Sequence, residues 1–201
     1  MLYEAKTLKG YKLHSIDGQA GKVKEFYFDD HQWKIRFLVA ETGNWLMGKQ
    51  VLISEEALGA VNNEEQYINI NLTSKQIEDS PSLEIARQSY PNLIIEQMDV
   101  QESYQGKAPW DAQIRSTYDS SGSKIDATDG ELGNIDDFII DDKTWEIQYL
   151  IVNAKDWLPD KKILVTPKWS ERVNWSESNI YVNLPRETFK KAKEYTDESK
   201  L

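Results

Sequence analysis

"DGELGNIDDFIIDDKTWEIQYLIVNAKDWLPDKKILVT", Asp129 to Thr166, decides the fold, because the chain contains its pattern twice. Shifted by about 112 positions, the sequence lies on itself without a gap. The stretch then falls on "DGQAGKVKEFYFDDHQWKIRFLVAETGNWLMGKQVLIS", Asp17 to Ser54. The match continues with Val61-Asn62 on Val173-Asn174 and "ININL" on "IYVNL". Identities number about 19 over about 66 aligned positions, and many other positions exchange one apolar residue for another. The chain is two copies of one module.

The shared residues describe a β module. Asp17-Gly18 and Asp129-Gly130 are turn dipeptides, since glycine accepts positive φ freely. Gly21 and Gly133 open the next strand, where a missing side chain lets another backbone come close. In "KVKEFYF" and "NIDDFII" the apolar phase shifts between Val23 and Phe26, and between Ile135 and Phe138, which predicts a β-bulge. Asp29-Asp30 and Asp141-Asp142 sit between two apolar runs, just before Trp33 and Trp145, and read as exposed hairpin turns. "KIRFLVA" and "EIQYLIV" are strands buried on much of both faces. "QVLIS" and "KILVT" follow, then short pairings turning at "NNEE" and "NWSE". Short strands with turns this frequent predict a small barrel.

Helices are few. "TSKQIED" from Thr73 predicts a capped turn or two. "PRETFKKAKEY", Pro185 to Tyr195, predicts a short C-terminal helix with Phe189, Ala192 and Tyr195 on one stripe. The segment between the copies holds three prolines and little periodicity. It reads as a linker that rests on the barrels at Leu93–Ile95 and Trp110 and ends in a flexible "DSSGS". The expected layout is a first barrel over 1–80, a linker over 81–123, and a second barrel with the C-terminal helix over 124–201.

Composition narrows the function. The 201 residues carry a net charge of −10, spread evenly, with no basic block. Nucleic-acid affinity rests on Lys and Arg contacts to phosphate, so direct binding to RNA or DNA is not expected. An anionic membrane surface is disfavoured for the same reason. There is no cysteine, which excludes disulfides, thiolate metal sites and cysteine nucleophiles. No apolar run reaches the ~18 residues of a membrane span. The N-terminal residues lack the apolar core of a signal peptide, and a soluble, cytoplasmic protein is expected.

Both quoted stretches closely resemble the PRC-barrel family, and "NLTSKQIEDSPS" resembles that family's C-terminal stretch. The layout is similar to that of bacterial tandem PRC-barrel proteins. The resemblance implies an all-β chain of two small SH3-like barrels. It also implies relatives in the cytoplasmic part of the H subunit of photosynthetic reaction centres and the C-terminal domain of a ribosome maturation factor. In those settings the barrel docks other proteins and carries no catalytic chemistry. The resemblance transfers no catalytic residue and no cofactor to this chain. The expected function is a non-enzymatic interaction or assembly module whose partners are other proteins, the chain being a monomer or a homo-oligomer. A ribosome-associated assembly factor, a photosynthetic electron-transfer accessory and a small-ligand or metal-binding module are the alternatives.

The candidate contact residues are tryptophans. Trp45 and Trp157, shared by both copies, are expected to close one end of each barrel, or else to meet a partner. Trp33 and Trp145, after the hairpin turn, are structural. Trp110, Trp169 and Trp175 have no Trp counterpart; Ala57 matches Trp169 and Asn63 matches Trp175. Packing between the two barrels or against the linker is the first expectation for them, and they are also the first candidates for an aromatic partner patch. Asp126, Asp129, Asp136 and Asp137 do not fit calcium-loop spacing. His14 and His31 belong to no triad pattern, and no glycine-rich phosphate loop precedes a helix. If glycine and aspartate shape turns here, Gly130→Val or Gly133→Val lowers the thermal midpoint sharply while Asp141→Asn barely moves it. Equal losses in all three overturn the turn assignment.

Overall fold

A computed structural model describes residues 1–43, 48–84, 114–154, 157–158, 161–174 and 177–196. The first copy runs β1 (Leu2–Glu4), α1 (Ala5–Leu8), β2 (Lys12–Ser15), β3 (Gly18–Asp29), β4 (Lys34–Glu41), β5 (Gln50–Ser54), β6 (Leu58–Asn62), β7 (Tyr67–Ile70) and α2 (Ser74–Glu78). The second runs β8 (Ile114–Ser116), α3 (Thr117–Ser120), β9 (Lys124–Ala127), β10 (Gly130–Asp141), β11 (Ile147–Asn153), β12 (Lys162–Val165), β13 (Ser170–Asn174), β14 (Asn179–Val182), α4 (Arg186–Phe189) and β15 (Glu194–Tyr195). The architecture is all-β with a few short helices. Each copy builds one sheet, ordered β5-β4-β3-β2-β7-β6 and β12-β11-β10-β9-β14-β13. Neighbours are antiparallel except β2 with β7 and β9 with β14, which run parallel.

Apolar residues on the inward phase explain the strands. Phe26, Phe28, Leu13, Ile35, Leu38, Ile53 and Ile68 are fully buried in the first copy, and Phe138, Ile140, Ile125 and Leu150 in the second. Each such side chain contributes about 1.5–3 kcal/mol. The phase shift seen in the sequence is a bulge. The β3–β4 register slips between Val23 and Glu25, and the β10–β11 register between Ile135 and Asp137.

Gly21 and Gly133 adopt φ of 129° and 143°, and a Cβ there would lie 2.4 Å from the Glu41 carbonyl oxygen and 2.2 Å from that of Asn153. The expected close approach of backbones is therefore present in both copies. Trp33 and Trp145 also adopt positive φ, 54° and 56°. They keep this left-handed conformation while buried, and Trp33 stacks on Phe28 with centroids 5.4 Å apart. Packing of a large ring outweighs the 1–2 kcal/mol or so that a glycine would save there.

Three expectations change. First, the structure divides into one unit of Leu8–Ser116 and another of Met1–Thr7 with Thr117–Leu201. The leading strands are exchanged: β1 pairs with β10, and β8 pairs with β3. Residues 114–123, expected to close the linker, thus hold a strand and a helix. In "DSSGS" Ser120 and Ser123 are buried, Gly122 N–H donates to Ile135 O, and Ile135 N–H donates to Ser123 O. Gly10 N–H donates to Val23 O in the same way in the first copy. Leu93–Ile95 lie outside the described residues.

Second, the C-terminal helix is one turn, α4, and Tyr195 belongs to a strand. β15 pairs with β12, and Tyr195 packs with Ile139, Ile151 and Leu164. Extended backbone carries Tyr195 onto the sheet face, which a continued helix would turn away from. Leu83 does the same work in the first copy, packing with Tyr27, Val39 and Leu52 beside Phe37. The Thr73 turn forms as expected, with a full capping box to Gln76 opening α2.

Third, the repeat is longer in structure than in sequence identity. It extends forward to Leu2 and Ile114 and back to Leu83 and Tyr195, positions that pack alike and share no residue type. Gly133→Ala is expected to cost at least about 3 kcal/mol, because backbone must move. Gly18→Ala, with φ of 153° and open space around the added methyl, is expected to cost about 1 kcal/mol. Urea midpoints of the two variants check the difference.

Candidate functional site

The acids of the turns serve the fold. Asp17 accepts hydrogen bonds from the Ser74 backbone N–H at 2.7 Å and the Ser74 hydroxyl at 2.8 Å. The Ser74 backbone bond first, then the hydroxyls of Ser74 and Ser15, holds its carboxyl below the usual range. Asp129 accepts from the Arg186 backbone N–H at 2.7 Å. Each Asp-Gly turn thus ties down the start of the helix that follows its barrel. Gly18, Gly21, Gly130 and Gly133 all have positive φ, and beside them Asp17 and Asp129 each accept from the first residue of a helix.

Asp29 differs from the expected exposed turn acid. It is 0% exposed and accepts from His31 N–H at 2.8 Å, Gln32 N–H at 3.1 Å and the Arg36 guanidinium at 3.2 Å. Asp141 accepts from Lys143 and Thr144 N–H at 2.7 and 3.3 Å. An asparagine at 141 keeps an acceptor for both, which is the physical basis for its expected mildness.

A second set of acids holds the exchanged strands. Glu25 and Asp137 occupy matching positions just past the bulge. Glu25 accepts from the Ser116 hydroxyl, and Asp137 accepts from the Lys6 backbone N–H at 3.1 Å. The Tyr195 hydroxyl donates to Glu4. Asp136, the bulge residue, bridges Lys6 and Lys162 at 3.0 Å each. Its burial pushes the carboxyl up, but hydrogen bonds from Lys162 and Lys6 win and hold it below the usual range. Asp137 is pushed up to about 6 by burial, against the Phe138 and Lys6 N–H groups, with Glu4 adding to the rise.

Asp126 accepts from the Asn179 amide at 2.6 Å. Asp126, Asp129, Asp136 and Asp137 therefore meet different groups: Asn179, Arg186, the Lys6 and Lys162 ammonium groups, and the Lys6 main chain. Among the described residues, no group of three or more His, Cys, Asp or Glu is placed to hold a metal. His14 stacks on Tyr67 at 4.2 Å, and His31 lies 3.8 Å from Asp30.

The tryptophan candidates separate. Trp157 is half-buried, and its indole N–H donates to the Leu132 carbonyl at 2.8 Å. That bond ties the β11–β12 connection to β10. Trp169 is 39% exposed, in the 3-10 turn Pro167–Trp169 before β13, with its ring edge-on to Phe189 at 5.5 Å. Trp45, Trp110 and Trp175 lie outside the described residues.

Two residues missed in the sequence join Trp169 on this element. Arg172 is exposed on β13, and its guanidinium lies 4.2 Å from the ring centroid of Tyr181 on β14. Arg172 and Tyr181 are also register partners across the hairpin. The corresponding first-copy residues are Ala60 and Asn69. A position-by-position search of the two copies for small residues replaced by large ones finds all of these sites.

The known-family comparison meets this geometry in the first copy. Residues 1–77 match the PRC-barrel domain. The matched PRC-barrel domain begins at the exchanged strand β1 and ends within α2, so its contiguous sequence contributes to both structural units. No curated protein matches the chain. No helix among the described residues is long and apolar enough to cross a membrane.

Asp137 has a pH signature. Its folded value, about 6, lies above the ordinary 3.8, so between those values the folded chain keeps a proton the unfolded chain has lost. Its contribution favours folding most in acid and is lost as pH rises through about 6. Asp137→Asn retains an acceptor for Lys6 N–H and removes the buried charge. It is expected to stabilise the protein by about 1–3 kcal/mol at pH 7.5 and to leave stability nearly unchanged at pH 4. Thermal melts of both proteins across pH 4–8 check it.

Proposed function

We propose that the chain is a non-enzymatic protein-interaction module whose partner contact is the β13–β14 hairpin with the Pro167–Trp169 turn. The single observation behind this reading is asymmetry. Where the first copy has Ala57, Ala60 and Asn69, the second has Trp169, Arg172 and Tyr181 on one hairpin and the turn that feeds it. Aromatic residues and arginine are the side chains that carry most binding energy at protein interfaces. Neither fold nor turn chemistry asks for them, since the first copy builds the same hairpin without them.

The non-catalytic part of the reading is supported by how the recurring acids are used. Asp17 and Asp129 tie helix starts, Asp29 and Asp141 close hairpins, and Glu25 and Asp137 hold strands. The even net charge of −10 favours a partner with a basic surface, whose association rate falls as salt rises.

The test is affinity capture from the native host at low salt, with bound proteins identified by mass. Wild type, Trp169→Ala/Arg172→Ala and a first-copy control, Asn69→Ala, are compared after matched thermal melts confirm folding. The hairpin variant is expected to lose its partner at least tenfold, a hot-spot effect of about 2 kcal/mol or more, while the control keeps it. Equal retention by all three removes the hairpin from the interface.

A further inference from the structure

Each sheet receives a strand from outside its own contiguous barrel sequence. β1 pairs with β10 in the register Leu2 to Asp141, Tyr3 to Ile140 and Glu4 to Ile139. β8 pairs with β3 in the register Ile114 to Asp29, Arg115 to Phe28 and Ser116 to Tyr27. The two registers are the same, position for position, under the repeat. The two strands, Leu-Tyr-Glu and Ile-Arg-Ser, have no residue type in common. What the two strands share is main-chain pairing and one apolar residue, Leu2 or Ile114, that packs against the cluster on the sheet; the side-chain bonds of Glu4 to Tyr195 and Ser116 to Glu25 differ between them. The chain leaves one unit for the other within α1, at Thr7–Leu8, and directly after β8, at Ser116–Thr117.

We propose that these two strand seats, on β3 and β10, are sites of strand addition that a second copy of this chain fills, giving an arm-exchanged dimer. The occupant is fixed by the pairing itself: the segments that fit the seats are Leu2–Glu4 and Ile114–Ser116. Exchange between chains preserves every pairing seen within one chain, so no contact is lost when the donor changes. The balance between the closed monomer and the exchanged dimer is then set by effective concentration, on the order of millimolar for a short tether. Arms sort between chains when both are open, as during refolding at high concentration. Closed forms interconvert slowly, because release requires breaking the strand pairing together with the Lys6–Asp137 and Tyr195–Glu4 bonds. This inference is independent of the β13–β14 hairpin.

The chain's lack of cysteine makes a clean test. Tyr3→Cys and Ile140→Cys are made separately, one chain carrying an affinity tag, and also together in one chain. The double variant, folded when dilute and oxidised, is expected to form an intrachain disulfide. The two single variants, unfolded together and refolded at about 1 mM, are expected to form a tagged–untagged covalent heterodimer. The same pair refolded at about 1 µM is expected to give at least tenfold less. Wild type treated the same two ways provides a measurement free of substitutions. Its size-exclusion profile is expected to show a dimer after concentrated refolding that persists on dilution. Crosslinking within one chain but never between two, with wild type monomeric after both treatments, overturns the proposal. So does failure of the double variant to crosslink within the chain while it melts cooperatively, since β1 would then not occupy β10.

Discussion

A long strand that must serve two sets of partners governs this structure. β3 and β10 each span 12 residues. Their first halves pair with β2 and β9, and their last residues pair with the exchanged strands. A bulge inserts one unpaired residue into such a strand, bending it and increasing its local twist, so the two halves can face different partners. The bulge falls at Lys24 and Asp136, between the two pairing zones. Gly21 and Gly133 lie just before it, where the strand passes so close to the β4 or β11 end that no side chain fits.

The same constraint explains where charge is buried. Just past the bulge, Glu25 accepts from Ser116 of the exchanged strand β8, and Asp137 accepts from Lys6 in the turn of helix that follows β1. A carboxylate there costs desolvation, which is why Asp137 keeps its proton to about pH 6. Its benefit is a fixed anchor for a strand of three residues, too short to hold by pairing alone. Acids that in sequence resemble candidate ligands are committed to this framework one by one.

Against that shared framework, differences between the copies stand out. The first copy fills the β6–β7 hairpin with Ala60 and Asn69, while the second places Arg172 over Tyr181 and leaves Trp169 partly exposed. Duplication supplies an internal control: what both copies keep builds the barrel, and what one copy adds on an exposed edge calls for another explanation.

The sequence by itself determined the repeat, the strands, the bulges, the Asp-Gly turns and the close approach at Gly21 and Gly133. All of these follow from local patterns and from residue types that only one conformation suits. It also marked Trp169 as a residue with no tryptophan at the matching position, Ala57. Tertiary structure alone decided that β1 and β8 change places, that Asp29 is buried, and that Tyr195 lies on a strand. The physical reason is that each of these depends on which surface a short segment meets. Leu2 and Ile114, or Leu83 and Tyr195, need only be apolar and extended to fill their places. Main-chain pairing leaves no residue signature from which the choice of partner can be read.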